Sequence, residues 1–104
     1  MTMHTVEVLY FDGCPHAPAT IDRVRKVIAS MRRPDLIALR IVAIESDEQA
    51  EEHRFLGSPS VRVDGRDVEQ GADARTDYGI QCRVYTEEDG APPEGWIRDA
   101  LHVE

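Results

Sequence analysis

Val6-Glu7-Val8-Leu9-Tyr10-Phe11-Asp12-Gly13-Cys14-Pro15-His16 is the stretch on which the fold turns. Its first six residues are rich in β-branched and aromatic side chains and are halted by Asp12-Gly13, the pattern of a buried strand. After Ala17-Pro18, apolar side chains recur at Ile21, Val24, Val27, Ile28 and Met31. Those spacings put them on one face of a helix, so a strand followed by an amphipathic helix packed on a sheet is predicted.

Outward from this unit, Leu36 to Ile44 is almost continuously apolar with Arg40 its only charge. Such a run suits a central strand covered on both faces and parallel to the first. Ser46-Asp47-Glu48-Gln49 matches a capping box, with the Ser46 hydroxyl accepting from the Gln49 amide and the Gln49 side chain returning to the Ser46 amide. His53 and Arg54 are expected in the last turn of that helix and Gly57 at its C-terminal cap. Ser60 to Val68 alternates valines around Asp64-Gly65, a hairpin signal. Pro92-Pro93-Glu94 opens a closing helix, with Pro93 at its first position and Trp96, Ile97, Ala100 and Leu101 on one face. Residues 70–90 read as an inserted excursion holding one strand-like patch, Ile80 to Tyr85. The order β-α-β-α-β-β-α predicts a single α/β domain over residues 1–104, a mixed sheet with helices on both faces.

The chain has 104 residues and a formal charge of −8. Up to Val63 it carries 8 basic against 9 acidic residues and beyond it 4 against 11, so the acidity is C-terminal. Nucleic acid is excluded as an expected partner, because the one dense basic run, Arg23, Arg25, Lys26, Arg32 and Arg33, reads as a solvated helix face. No run approaches the ~18 apolar residues of a membrane span, and MTMHTVEV lacks the features of a signal peptide. The expectation is a cytoplasmic protein without membrane contact, whose two cysteines rest reduced.

Cys14 is placed where the first strand gives way to the first helix, and amides at such a point favour a thiolate, the species that attacks disulfides or binds soft metals. The competing reading is an inert cysteine packed as a small apolar residue. A protonated His16 two residues on would favour the thiolate further; alternatively it is an exposed histidine with no role. Glu7, Asp12 and Asp77 are acids near the proposed site, of which at most one serves as a proton acceptor. Glu87-Glu88-Asp89 reads as a solvated loop. His4, His53 and His102 have no metal-ligand spacing, and two distant cysteines make no zinc site, so no metal and no cofactor is expected.

Phe11-Asp12-Gly13-Cys14-Pro15-His16, the element order and Ser58-Pro59-Ser60 at the third strand together resemble the thioredoxin superfamily. The chain is more closely similar to small bacterial thioredoxin-like proteins with FDGCPH near the start, a GSPS segment and a TDYGxxCRxY segment, here Thr76 to Tyr85. The resemblance leaves residues 70–90 as an addition. It implies that Cys14 is the redox cysteine beginning the first helix and that Pro59 is a cis-proline on the facing strand. The backbone beside such a proline pairs with an extended substrate, and Gly13, Pro15, His16, Ser58 and Pro59 are the implied substrate-binding positions. The expected partner is a protein or small-molecule thiol or disulfide.

One departure matters. Cys14-Pro15-His16-Ala17 lacks the second cysteine of a C-x-x-C site, which leaves a monothiol mechanism or resolution by Cys82 from the excursion; the competing and favoured reading of Cys82 is a small apolar residue facing the core. Three functional readings follow: a thiol–disulfide oxidoreductase, a module that binds a thiol compound, soft metal or peptide without turnover, and an interaction domain with inert cysteines.

Overall fold

The computed structural model describes residues 4–83, 85 and 90–101. Its strands are β1 (His4–Tyr10), β2 (Ile37–Ala43), β3 (Ser60–Val63) and β4 (Arg66–Asp67), and its helices are α1 (Ala17–Ser30), α2 (Asp47–Glu52) and α3 (Glu94–Leu101). Single 3-10 turns sit at Pro34–Leu36 and Ala72–Ala74. The strands form one mixed sheet in the order β2-β1-β3-β4, with β1 parallel to β2 and antiparallel to β3, and β3 antiparallel to β4. No helix of the described residues is long and apolar enough to cross a membrane.

Alternation along β1 divides the core. Val6 and Val8 pair with Val63 and Val61 and pack with Val24 and Val27 of α1 and Ile97 and Leu101 of α3, all buried. Leu9 belongs to the opposite face, where it meets Ile44, Phe55 and Ala50 of α2. Helices therefore cover both faces. Beyond the reach of α2, that second face carries charge across all four strands: Arg40 is opposite Glu7, Glu7 opposite Arg62, and Arg62 opposite Asp67. Arg40 lies 3.5 Å from Glu7. Burial holds the Arg62 guanidinium below its ordinary value, against the pull of Asp67 and Glu7.

Several local expectations change. β2 is an edge strand, not a central one, and Ile41 on it is 42% exposed. A β-α-β crossover sets β2 on one side of β1 while the hairpin takes the other, so among the described residues β2 has no outer neighbour, and its side chains are half-buried or exposed and not covered on both faces. The capping box is half formed: the Gln49 amide donates to Ser46 Oγ at 3.1 Å, but Gln49 Oε1 accepts from the Glu45 amide at 2.7 Å, one residue earlier. α2 ends with His53 as cap and Arg54 left-handed at φ +53°. Arg54 N–H donates to Glu51 O and Phe55 N–H to Ala50 O, a Schellman closure with Arg54 in the place usually taken by glycine. Gly57 is thus free of the cap. Pro93 precedes α3 instead of starting it, with its carbonyl accepting from Trp96 N–H.

The hairpin is as expected. Asp64 and Gly65, at φ +52° and +84°, form a two-residue loop with both central residues left-handed, as a type I′ turn requires. Asp64 also accepts from the Thr5 amide at 2.8 Å and pairs with His4 Nδ1 at 2.6 Å, tying the loop to the start of β1. The Ser58–Pro59 peptide is cis.

Candidate functional site

β1, the central strand, ends at Tyr10, whose carbonyl accepts from Ile44 N–H at 2.7 Å. The chain then turns: Cys14 N–H donates to Phe11 O at 3.2 Å, with Gly13 at φ +92° supplying the left-handed residue. Cys14 was expected to begin the first helix. Instead it stands in this turn, two residues ahead of His16, the N-cap of α1, and its carbonyl accepts from Ala17 N–H at 3.4 Å. Its exposure is 7%. Pro15 is exposed and His16 half-buried.

The His16 ring does not cap α1 and, among the described residues, makes no hydrogen bond to Cys14. It lies flat against Gly90, where a Cβ would come within 2.4 Å of the ring. Gly90 is the far end of the excursion, so the excursion folds back onto the N-terminus of α1.

β3 supplies the second side of the site. Leu9 is opposite Ser60, so continuing the register places Pro59 opposite Tyr10, the last residue of β1, at the end of the sheet that carries the Phe11–Cys14 turn. Ser58, fully buried, is engaged by the excursion: Ser58 N–H donates to Gln81 O at 2.8 Å and Arg83 N–H to Ser58 O at 2.9 Å. Together these make a parallel bridge that sets Cys82 directly opposite Ser58. Gly79 N–H to Phe55 O and Gln81 Nε2 to Leu56 O extend the docking. Gly57, at φ +121°, explains the fit, because a Cβ there would meet Gln81 O at 2.9 Å.

The strand-like patch Ile80–Tyr85 thus forms one isolated bridge, with Val84 outside the described residues, as are Glu87-Glu88-Asp89 and His102. Cys82 is exposed and does not face the core, and no disulfide joins it to Cys14. It borders a cavity of about 300 Å³ with Leu56, Arg75, Asp77 and Gln81. Asp77 is held by Arg75 in a two-pronged pair at 3.0 and 2.7 Å, whose hydrogen bonds lower its carboxyl below the usual range. A larger groove of about 950 Å³ runs past Arg62, Asp67 and Trp96 and touches neither cysteine.

Arg83 is the residue that sequence reasoning missed. Its side chain is 2% exposed and grips Asp67 at 2.6 and 3.1 Å, Glu69 at 3.3 Å and Ser60 Oγ at 3.0 Å. Burial opposes its charge, but the Asp67 hydrogen bonds and the neighbouring negative charges outweigh it and hold the guanidinium above its ordinary value. The guanidinium lies 5.1 Å from the centre of the Tyr85 ring, and Tyr85 in turn donates to Pro59 O at 2.7 Å. Burial pushes the Tyr85 hydroxyl well above its ordinary value. The signal was an arginine inside an otherwise strand-like patch.

Among the described residues, two buried side-chain polar atoms lack a partner, Ser58 Oγ and Arg83 Nε, both beside the Cys82 bridge. Among the described residues, no three His, Cys, Asp or Glu side chains group as metal ligands. No family model matches this chain, and neither the curated proteins nor the solved structures hold a significant match to it.

Proposed function

We propose that this chain is a thioredoxin-like thiol–disulfide oxidoreductase or thiol-redox protein in which Cys14 and Cys82 form the redox couple. The observation that carries this reading is the Ser58–Cys82 bridge. It brings the excursion's cysteine to the residue before Pro59, at the end of the sheet where β1 delivers Cys14. The succession of strands and helices and the mixed sheet with helices on both faces also support the thioredoxin resemblance. The missing C-x-x-C partner is then replaced by a thiol distant in sequence. Partners are protein or small-molecule thiols and disulfides.

The second reading, a module that holds a thiol compound, soft metal or peptide on the same surface without turnover, is favoured by the burial of Cys14. Oxidation with one equivalent of peroxide separates the two. Peroxide converts the Cys14 thiol to a sulfenic acid with release of water, and the Cys82 thiol displaces a second water to form the disulfide. Mass spectrometry is expected to find an internal disulfide in the wild type and a Cys14 sulfenate in Cys82→Ser. The same sulfenate in both proteins eliminates the couple and leaves the binding module.

A further inference from the structure

We infer that Arg54 and Arg62 form a binding site for the phosphate group of a small molecule, in the larger groove on the second face of the sheet and apart from both cysteines. Arg62 is the first ground. Its position in β3 puts it on the face that carries Glu7 and Asp67, where it is half-buried and lines that groove. An arginine has five N–H donors. Among the described residues Arg62 uses one of them, from Nη2 to Arg54 O at 2.8 Å. Burial already opposes its charge, so donors left unspent there carry a cost that an anion in the groove relieves.

The carboxylates around Arg62 are committed elsewhere. Glu7 pairs with Arg40 at 3.5 Å, Asp67 and Glu69 with Arg83 at 2.6 and 3.3 Å, and Asp77 with Arg75 at 2.7 Å. Among the described residues no carboxylate forms an ion pair with Arg62, and none does with Arg54, although Glu51 and Glu52 of α2 are close to it in sequence. The last carbonyls of α2 do not fill the gap, because the amides of His53, Arg54 and Phe55 close onto Gln49, Glu51 and Ala50.

Arg54 is the second ground, independent of the first. It is left-handed at φ +53°, in a cap position where glycine is unstrained, and it lines the same groove. A costly backbone conformation kept by a long cationic residue points to a role for its side chain. Arg62 donates to the carbonyl of this same residue, so the strained backbone and the unspent guanidinium meet at one point. Tyr78 borders the groove, close enough for its phenol to act electrostatically on Arg62, and adds a hydroxyl donor.

Two guanidinium charges without a carboxylate call for a dianion. A phosphate ester carries about −1.5 to −2 at pH 7 and offers three acceptor oxygens, which suit forked arginine donors. Nucleic acid does not fit, since a formal charge of −8 repels a polyanion. A single phosphate group feels charges beyond about 8 Å only weakly at physiological ionic strength.

The test titrates inorganic phosphate into the isotope-labelled chain at physiological ionic strength held constant with chloride, following backbone amide and arginine Nε–H signals by NMR. Saturable shifts are expected at Arg54, Arg62 and Tyr78 and none at Cys14 or Cys82, with a Kd of roughly 1 mM, the strength of two or three charge-assisted hydrogen bonds in an open groove. Arg62→Gln and Arg54→Gly are each expected to weaken binding at least about tenfold. Arg54→Gly relieves the left-handed backbone, so weaker binding by that variant is not a loss of fold. Phenyl phosphate is the second arm: tighter binding than inorganic phosphate assigns the site to an organic phosphomonoester, and equal binding assigns it to free phosphate. Shifts that do not saturate, or equal affinity in the wild type and both variants, overturn the site. Acetate or succinate binding as tightly as phosphate overturns the assignment to a phosphate group.

Discussion

Replacing Asp67 by Asn strips the charge from the main partner of Arg83 while leaving the shape of the site intact. The Arg83 side chain is 2% exposed and that of Asp67 9%, so the pair sits out of water. Removing one partner of such a pair costs about 3–5 kcal/mol, since the remaining charge stays buried without compensation. Glu69, 3.3 Å from the guanidinium and more exposed than Asp67, retains part of the compensation and sets the expectation at the lower end, about 3 kcal/mol. For a domain of this size each kcal/mol moves the midpoint by roughly 4–8 °C, so thermal unfolding followed by circular dichroism is expected to shift down by about 12–24 °C. The double variant Asp67→Leu/Arg83→Met, which exchanges the ion pair for apolar volume, is expected to recover most of that loss. A shift under about 4 °C for Asp67→Asn would show that the guanidinium is solvated and that the excursion is not anchored through it.

Three further outcomes are expected. Gly57→Ala combines a left-handed backbone with a Cβ only 2.9 Å from Gln81 O, so urea titration should show about 2 kcal/mol or more of destabilisation; an unchanged midpoint would mean that the excursion does not approach Gly57. Arg54→Gly relieves a non-glycine residue at φ +53° and is expected to stabilise by about 1 kcal/mol in the same titration, whereas a loss would show that the Arg54 side chain contributes more than its backbone costs. The Asp64 carboxyl is held below its usual range by its hydrogen bonds to His4 and to the Thr5 amide, so its stabilisation is complete above the ordinary value of about 3.9 and is lost as pH falls through the lowered value. Urea titrations of wild type and Asp64→Asn are therefore expected to differ at pH 6 and to converge toward pH 2; a constant gap would assign the effect to packing.

Elements governed by local chemistry were legible in the sequence. Strand composition before Asp12-Gly13, the apolar stripe from Ile21 to Met31 and the demand of a two-residue turn for Asp64-Gly65 each act within a few residues, and each is borne out. Position within the sheet was not legible for Leu36 to Ile44, because an apolar run records strand-forming side chains and not which neighbours reach them: no residue of β2 is buried, whereas β1 between two neighbours buries Val6, Val8 and Leu9. The cap of α2 misled because Gly57 answers to a neighbour 24 positions away in sequence, Gln81, and not to its own helix. At the candidate site the sequence singled out Cys14, Ser58, Pro59 and Cys82. What it left open was which thiol faces water, since that depends on how the excursion packs, and the packing is set by Arg83 reaching across to Asp67 and Glu69.

The row of charges Arg40, Glu7, Arg62 and Asp67 has one more consequence. As an ion pair at a half-solvated surface, Arg40–Glu7 contributes little, about 0–1 kcal/mol. The value of the row lies in the arrangements it forbids. If β3 slid by one residue along β1, Arg62 would swing into the space now filled by Val61 and Val63, among Val24, Val27 and Ile97, while the valines turned toward water. An unpaired guanidinium in that interior costs several kcal/mol, far more than the aligned row returns. A feature that barely strengthens the folded state therefore works as a proofreader of strand alignment, rejecting each misthreaded sheet at the moment of its assembly.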